Sequence, residues 1–251
     1  MNLTEIEFWD NYWRNIKLPS LPDKSHSFDR CLSRELERIT RNKKGEILEI
    51  GCAPGKWISH LALCNGLTPS GIEYSPIGLE LTYKNFELLK IKPGTIFVGD
   101  FFELEPTRKF DIVMSLGLIE HFDDVEKVIY KHIEWLKDDG LLILGIPNFS
   151  GVTKFIQHYL DKSLLDKHNL QIMNVEFFRN IGKKFNLKEI EINYIGSFEP
   201  DLPIPKTRFG NPMQITLKII LIVMRKLRRF SFTDKLNHSS YSSYILAVFQ
   251  K

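Results

Sequence analysis

The sequence predicts a doubly wound α/β fold, in which a mainly parallel sheet of seven strands carries helices on both faces. Short apolar runs alternate along the chain with stretches that are long enough for helices. The apolar runs are hydrophobic on both faces, which is typical of parallel strands covered by helices on each side. A length of 251 residues suits one α/β unit that carries an insertion.

The elements follow in chain order. An aromatic N-terminal helical region precedes an amphipathic helix at 28–39. The predicted strands cover residues 46–50, 70–74, 95–99, 110–115, 141–147, 187–195 and 241–249. The predicted helices cover residues 56–65, 76–90, 124–137, 174–185 and 213–230, the last within an insertion at 198–238. Pro76 suits the first turn of its helix. We expect a single domain over 1–251, with a helical cap at 1–40.

The N-terminal residues and the spacing of the cysteines indicate the cellular compartment. The N-terminus lacks a basic stretch followed by an apolar core, so we predict no signal peptide. Cys31, Cys52 and Cys64 lie far apart without paired spacing, which predicts neither a disulfide framework nor a zinc site. We therefore expect a cytoplasmic protein without a metal centre.

The turn after the first strand carries Gly51 and Gly55, which come two and six residues after Glu49. Glycine lets the backbone turn sharply and approach a ligand, and the new helix offers unpaired N–H groups and a positive dipole end. The dinucleotide spacing Gly-x-Gly-x-x-Gly is absent, with Ala53 and Pro54 in place of glycines. Taken alone, this glycine pattern indicates either a binding site for a nucleotide-like ligand or an ordinary structural turn.

Polar residues end the next strands as well. Glu73 follows the glycine turn by about twenty residues and suits a ribose diol, because a carboxylate accepts hydroxyl hydrogen bonds. Asp100 ends the third strand and is followed by Phe101. The fourth strand leads to Glu120 and His121. In a parallel sheet these strand ends lie at one edge, where ligands bind.

The pattern Glu-x-Gly-x-x-x-Gly at 49–55, with the later acids and Glu-His-Phe at 120–122, resembles class I S-adenosylmethionine-dependent methyltransferases over roughly residues 40–150. The resemblance implies a Rossmann-like methyltransferase fold and S-adenosyl-L-methionine as the cofactor. It implies that the turn holds the methionine end, that Asp100 faces the adenine amino group and that Phe101 packs on the ring. The residues implied for the cofactor site are Glu49, Gly51, Cys52, Ala53, Gly55, Glu73, Tyr74, Asp100, Phe101, Ser115 and Leu116. Tyr12 or Trp13 either closes over the cofactor or packs on the sheet.

Candidates for catalysis follow from the reaction that the resemblance implies. Methyl transfer is an in-line displacement, and a hydroxyl acceptor needs a base. His121 lies just beyond the fourth strand, and its ordinary pKa suits proton removal; it could instead only cap the following turn. Glu120 is a second candidate. His168 and Asn169 either reach the acceptor or belong to an exposed loop.

The insertion concentrates positive charge. Residues 202–233 contain seven cations and no acid, whereas the chain has a net charge of +3, so the remainder sums to −4 (3 − 7). The cations are Lys206, Arg208, Lys218, Arg225, Lys226, Arg228 and Arg229. We expect the apolar run 219–224 to be covered, as a lid on the domain or as a homo-oligomer contact through 213–230, with the terminal cations from Arg225 onward in solvent. The two less favoured alternatives are an acceptor-binding cap for an anionic substrate and docking on an anionic membrane surface.

The sequence lacks the features that are typical of a nucleic-acid methyltransferase. The Asn/Asp-Pro-Pro-aromatic motif of base methylation is absent after the fourth strand, where Ser115 and Leu116 stand, and basic and aromatic residues are not interleaved. We therefore expect a small-molecule acceptor that is methylated at oxygen or nitrogen, and we do not expect a nucleic acid. A catalytically inactive methyltransferase-fold binding protein is the alternative. A dinucleotide oxidoreductase comes third because its glycine spacing is missing.

Overall fold

The computed structural model describes residues 4–200, 202, 212–228 and 230–251. Within them the strands are β1 (Glu46–Ile50), β2 (Thr68–Glu73), β3 (Ile96–Val98), β4 (Phe110–Leu116), β5 (Leu136–Pro147), β6 (Lys188–Ile195) and β7 (Tyr244–Gln250). The α-helices are α1 (Ile6–Trp13), α2 (Ser27–Thr40), α3 (Lys56–Asn65), α4 (Pro76–Leu89), α5 (Val125–Glu134), α6 (Gly151–Leu165), α7 (Val175–Lys184) and α8 (Pro212–Leu227). Short 3-10 turns occupy Ile119–His121, Leu170–Ile172 and Ser231–Lys235.

The strands form one sheet in the order β3-β2-β1-β4-β5-β7-β6. The first five in this order are parallel, and β7 runs antiparallel between β5 and β6. This arrangement confirms the predicted doubly wound, mainly parallel sheet of seven strands with an insertion before the last one. The strand order reverses between β1 and β4, which is where sheets of this kind open a ligand crevice at their carboxyl ends.

Both faces of the sheet are buried. In β1, Leu48 and Ile50 join a core on one face with Val128 of α5, whereas Ile47 packs on the other face with Leu36 of α2. Burial on both faces explains why the strands have continuous apolar runs in place of an alternating pattern. The sheet therefore forms a rigid platform beneath the loops at its carboxyl edge.

Side-chain caps set several helix starts. Ser75 accepts a hydrogen bond from the Gly78 N–H at 2.9 Å, and Pro76 occupies the first turn of α4 as predicted. Asp124 caps α5 by accepting from the Lys127 N–H at 3.0 Å. These caps fix where the loops at the carboxyl edge end.

The bounds of most elements differ from the sequence predictions by up to three residues, and two further differences have local causes. The helix predicted at 124–137 ends at Glu134, because Leu136 already pairs with Phe110 and starts β5 ahead of a bulge. The sequence pattern predicts no helix at 151–165, where α6 forms. Gly151, with φ +57°, begins it, and Asp161 kinks it with non-helical angles, so turn-like residues conceal the helical pattern.

The insertion between β6 and β7 carries α8. Its Leu221 packs against Leu160 of α6 and Phe198. The expectation that Arg228 stays in solvent is wrong, since this side chain is buried and lies 3.5 Å from the Asp234 carboxylate. The predicted cations Lys206, Arg208 and Arg229 lie outside the described residues. Among the helices that are described, none combines the length and apolar character that crossing a membrane requires.

Candidate active site

A cavity of about 1050 Å³ opens at the carboxyl edge of the sheet. One part of its wall consists of the turns that follow β1, β2 and β3. Another part consists of aromatic residues from α1 and of the short 3-10 turn Ile119–His121 after β4. Polar backbone and an apolar aromatic wall therefore enclose the same space.

The turn between β1 and α3 requires its glycines. Gly51 has φ +72° and Gly55 has φ +81°, a backbone region that disfavours residues with a Cβ. The Gly51 N–H donates to the Ile72 carbonyl at 2.9 Å. A Cβ on Gly51 would lie 3.3 Å from Leu118, on the cavity wall. Glycine thus leaves room for a ligand beside the start of α3.

The Glu73 carboxylate holds two of these turns together. It accepts hydrogen bonds from the N–H groups of Ala53 (3.1 Å), Tyr74 (3.0 Å) and Ser75 (2.8 Å). Burial raises the pKa of Glu73, and these three N–H groups oppose the rise. A carboxylate offers about four lone-pair sites. About one acceptor site therefore remains for a hydroxyl donor in the cavity.

The turn after β3 supplies an acid and two rings. Asp100 is exposed, and its carboxylate accepts from the Phe102 N–H at 2.9 Å. The rings of Phe101 and Phe102 lie 4.2 Å apart, and both line the cavity. An apolar ring wall beside a carboxylate suits a flat heterocycle that carries an amino group.

Most residues that the sequence analysis assigns to the cofactor lie at this cavity. Those in its lining are Glu49, Gly51, Ala53, Glu73, Tyr74, Asp100, Phe101, Leu116, Tyr12 and Trp13. Cys52, Gly55 and Ser115 are not part of the lining. Cys52 is buried against Gly71, Gly55 starts α3, and the Ser115 hydroxyl lies 2.9 Å from His132 Nε2. Their assignment stays a prediction.

Helix α1 brings aromatic side chains to the cavity. Trp9 and Trp13 stack at 6.0 Å, and the Trp9 ring meets the edge of His121 at 5.1 Å. The Ser75 hydroxyl bonds to Asp10, which ties α1 to the start of α4. Gly78 permits this approach, since a Cβ there would lie 3.2 Å from Trp13. Helix α1 therefore packs over the turns that the cofactor would contact.

His121 and Glu120 line the cavity beside the aromatic side chains of α1. His121 Nδ1 lies 2.9 Å from the Lys167 carbonyl, which can only accept, so Nδ1 donates and the neutral ring keeps its lone pair on Nε2. Nε2 lies 3.7 Å from Glu120 Oε1. Burial, reinforced by the nearby His168, lowers the pKa of His121 to about 4. Burial raises the pKa of Glu120 to about 8. At neutral pH, an uncharged imidazole thus neighbours a carboxyl group that is largely protonated.

Several lining residues escaped the sequence analysis as site residues. They are Phe8, Trp9, Trp57, Phe102, Phe149, Leu164 and Tyr244. Leu164 lies on the unpredicted helix α6, and Tyr244 comes from the distant last strand. His168, which the sequence analysis names without choosing a role, is in the lining, with its ring 4.7 Å from that of His121. The aromatic spacing at 8–13 was the one available signal for Phe8 and Trp9.

The residues present fit S-adenosyl-L-methionine. Among the described residues, Glu49 Oε2 and the Tyr74 hydroxyl are buried at the cavity without a hydrogen-bond partner. Buried polar atoms normally have one, so a polar ligand with donor groups would satisfy them. The space beside Gly51 and the remaining acceptor site on Glu73 suit the same ligand. The chemistry of this wall therefore agrees with the cofactor implied by the sequence resemblance.

Known methyltransferases resemble this chain in sequence and in fold. A family model described as "Methyltransferase domain" matches residues 24–192. A structure of a SAM dependent methyltransferase from Archaeoglobus fulgidus superposes with a TM-score of 0.57 over 88% of this chain and 93% of that one, at 16% identity. This likeness concerns the fold.

Curated relatives match part of the chain. The (S)-coclaurine N-methyltransferase of Papaver somniferum is 24% identical over 151 residues, 57% of this chain and 38% of that protein. The ubiquinone biosynthesis O-methyltransferase of Rhodopseudomonas palustris (strain BisB5) is 25% identical over 153 residues, 57% of each chain. The chain thus spans about half the length of the curated relatives it matches.

Proposed function

Because the chain belongs to the class I S-adenosylmethionine-dependent methyltransferase family, we propose that it transfers a methyl group from S-adenosyl-L-methionine to an oxygen or nitrogen of a small-molecule acceptor. The observation that carries this proposal is that the Gly51 and Glu73 turns and the His121 imidazole line the same cavity. The named relatives include both an N- and an O-methyltransferase, which supports this reaction class without choosing the acceptor atom.

The chain's own residues would hold the cofactor at the polar turns. When bound, S-adenosyl-L-methionine supplies an electrophilic methyl group. Glu73 is fixed by three backbone N–H groups and would accept from a ribose hydroxyl. Gly51 leaves space for the methionine end beside the N-terminus of α3, and Asp100 and Phe101 would receive the adenine.

The aromatic wall would bind and align the acceptor. In-line transfer gains much of its rate from holding the nucleophile in position. Trp9 and Phe149 line this wall, and Trp9 also contacts the His121 ring. Flat apolar side chains around a few polar atoms favour an acceptor with an apolar body and one nucleophilic group.

His121 would receive the proton of a hydroxyl acceptor. Its Nε2 carries a lone pair because Nδ1 donates to Lys167, and it lies in the cavity wall. With a pKa of about 4 the imidazole is a weak base, so the proton would pass through it only as the oxygen loses electron density. An amine that arrives deprotonated would not need His121.

Calorimetric titration with S-adenosylhomocysteine tests the cofactor site, with NADH as the competing ligand. We expect S-adenosylhomocysteine to bind and NADH to bind far more weakly; the reverse would overturn the proposal. Transfer is then tested with deuterium-labelled S-adenosyl-L-methionine and a panel of phenols, alcohols and amines, with mass spectrometry of the products. Binding without transfer to any member would favour the inactive binding protein.

A further inference from the structure

Three side chains of the kinds that bind metal ions meet between α2 and α3. His60 and Cys64 lie four residues apart on α3, which places them on one face of that helix. Glu37 lies on α2. A carboxylate oxygen of Glu37, a ring nitrogen of His60 and the Cys64 sulfur all lie within 4.8 Å of one another. None of these three residues lines the cavity that the cofactor would occupy.

The packing of the two helices brings these side chains together. Leu36 of α2 and Leu61 of α3 are buried in the same core cluster. The side chain of Asn65, at the end of α3, donates to the Glu37 carbonyl at 3.0 Å and to the Thr40 hydroxyl at 2.6 Å. These contacts fix the distance between the helices, so the three donors need only small side-chain movements to share one ion.

His60 is the donor that neighbours both of the others. Its Nε2 atom lies 2.8 Å from Glu37 Oε1 and 3.9 Å from Cys64 Sγ. Around a tetrahedral zinc ion, bond lengths of about 2.0–2.3 Å place a nitrogen ligand about 3.4 Å from an oxygen ligand and about 3.6 Å from a sulfur ligand. The observed separations therefore differ from those of a zinc site by about 0.6 Å and about 0.3 Å, which side-chain rotation can supply.

The donor set favours zinc over harder divalent ions. Mg²⁺ and Ca²⁺ prefer oxygen ligands, whereas Zn²⁺ accepts a thiolate, an imidazole and a carboxylate together. Three protein ligands leave one tetrahedral position for water. The competing cation is Lys24, whose Nζ lies 3.3 Å from Glu37 Oε1 and whose side chain is 63% exposed. Such an exposed ion pair is weak, so the lysine can leave the carboxylate to a metal ion.

We propose that Glu37, His60 and Cys64 bind one Zn²⁺ ion between α2 and α3. On binding, the Cys64 thiol releases its proton to water. The His60 proton that faces Glu37 moves to Nδ1, so that the Nε2 lone pair binds the ion. The spacing of the cysteines gives no sign of this site, because two of its three donors are not cysteines.

The ion would add a second link between two helices that pack beside the glycine turn. Near the N-terminal ends of the same helices, the Lys56 ammonium donates to the Asp29 carboxylate at 2.6 and 2.7 Å. Zinc would join the helices about two turns further along each of them. Because the three ligands meet only when α2 and α3 are packed, zinc should stabilise the folded state and raise the melting temperature.

Titration of the chelator-treated full chain with Zn²⁺ and Co²⁺ tests the proposal without cofactor or acceptor. We expect one Zn²⁺ per chain by calorimetry and a melting temperature that rises with zinc concentration. Co²⁺ in the same site should show thiolate-to-cobalt charge-transfer absorption and the strong visible bands of tetrahedral coordination. Glu120, His121 and His168 also lie within reach of one ion but contain no sulfur, so cobalt bound there would lack the charge-transfer band.

Variants assign the ligands. Cys64→Ala should remove the charge-transfer band, and both Cys64→Ala and Glu37→Gln should weaken zinc binding at least about tenfold, since even the loss of a group that only orients a ligand costs about that much. Cys64 is exposed, so its replacement leaves the core intact. Glu35→Gln, on α2 and paired with Arg38, should bind zinc like the parent. Lys24→Gln should bind it at least as tightly, because the competing cation is gone.

Three results would each overturn the proposal. They are the absence of zinc binding by the folded parent, cobalt binding without the charge-transfer band, and a zinc affinity that Cys64→Ala leaves unchanged. Because neither cofactor nor acceptor takes part, these results are independent of the S-adenosylhomocysteine titration, and a failure here leaves the proposed methyl transfer untouched.

Discussion

The Glu73 carboxylate accepts a hydrogen bond from the Ala53 N–H at 3.1 Å and thereby joins the turn after β1 to the end of β2. The same carboxylate binds two N–H groups of its own turn. The polar wall of the cavity is thus assembled by the chain itself before any ligand binds. Such preorganisation lowers the ordering cost of binding.

The first prediction concerns this carboxylate. Glu73→Ala should weaken S-adenosylhomocysteine binding by about 1.5–3 kcal/mol, the range for hydrogen bonds to a charged group. It should also lower the melting temperature, because the Ala53 N–H loses its acceptor. Calorimetry and thermal unfolding measure the two effects, with Glu80→Ala on the exposed side of α4 as the control. Unchanged affinity in a folded Glu73→Ala protein would contradict the assignment.

A second prediction compares two glycines with the same backbone angle. Gly51 has φ +72° and Gly66 has φ +70°, so valine at either position should cost roughly 1–2 kcal/mol or more of stability. Gly51 borders the cavity, while a Cβ on Gly66 would meet nothing within 4 Å. Gly51→Val should therefore lose S-adenosylhomocysteine binding and Gly66→Val should keep it. Equal affinities of the two folded variants would show that the turn does not contact the cofactor.

The sheet could be predicted from the sequence because its strands are buried on both faces. β1 was predicted with its observed bounds, Glu46–Ile50, since the apolar run stops at glycine. Helix α6 could not be predicted, because Gly151 and the kink at Asp161 interrupt the helical pattern of the sequence. The burial of Arg228 was also beyond reach, as it depends on Asp234 and on Arg30, nearly two hundred residues away in the chain.

The polar half of the site was more predictable than the aromatic half. Glu73 ends β2, Gly51 directly follows β1 and Asp100 lies two residues after β3, so the topology brings them to one edge. Trp9, Phe149 and Tyr244 reach the cavity through tertiary packing between distant segments, for which local spacing gives no signal. The low pKa of His121 likewise follows from burial, which an ordinary histidine value does not anticipate.

The third prediction concerns the buried ion pair behind α8. The Asp234 side chain is inaccessible and faces both Arg30 and Arg228. Asp234→Ala should cost about 3–5 kcal/mol of unfolding free energy, because it leaves buried Arg228 without its counter-charge. Denaturant unfolding measures the loss, and Asp166→Ala, which removes an exposed acid, is the control. A loss no larger than that of Asp166→Ala would argue that the pair is energetically neutral.

The same pair predicts a pH dependence. Burial alone would raise the pKa of Asp234, yet the hydrogen bonds and charge of Arg30 hold it below the ordinary 3.8. The folded-state pKa is therefore the lower one. The stabilisation is present above the ordinary value and is lost as pH falls through the folded-state value.

The fourth prediction concerns His121. If a hydroxyl is the acceptor, His121→Ala should lower the single-turnover rate by ~10²–10⁴-fold with little change in cofactor affinity. For the parent, the rate should be independent of His121 ionisation at neutral pH and fall as pH approaches its pKa of about 4. His158→Ala, an exposed histidine on α6, controls for general effects. A tenfold or smaller loss would leave His121 a packing residue and favour an amine acceptor.

The last prediction uses the buried Glu120. Burial raises the pKa of Glu120 to about 8, whereas the ordinary value is 4.5. The folded state thus holds a proton that the unfolded state releases, so this group's contribution is fully present below the ordinary value and is lost as pH rises through the folded-state value. Glu120→Gln keeps the shape and removes the titration. Its melting temperature should therefore fall less than the parent's between weakly acidic and alkaline pH, whereas Glu80→Gln, which changes an exposed side chain, should follow the parent. Parallel profiles for the parent and Glu120→Gln would mean that Glu120 ionises normally in the folded protein.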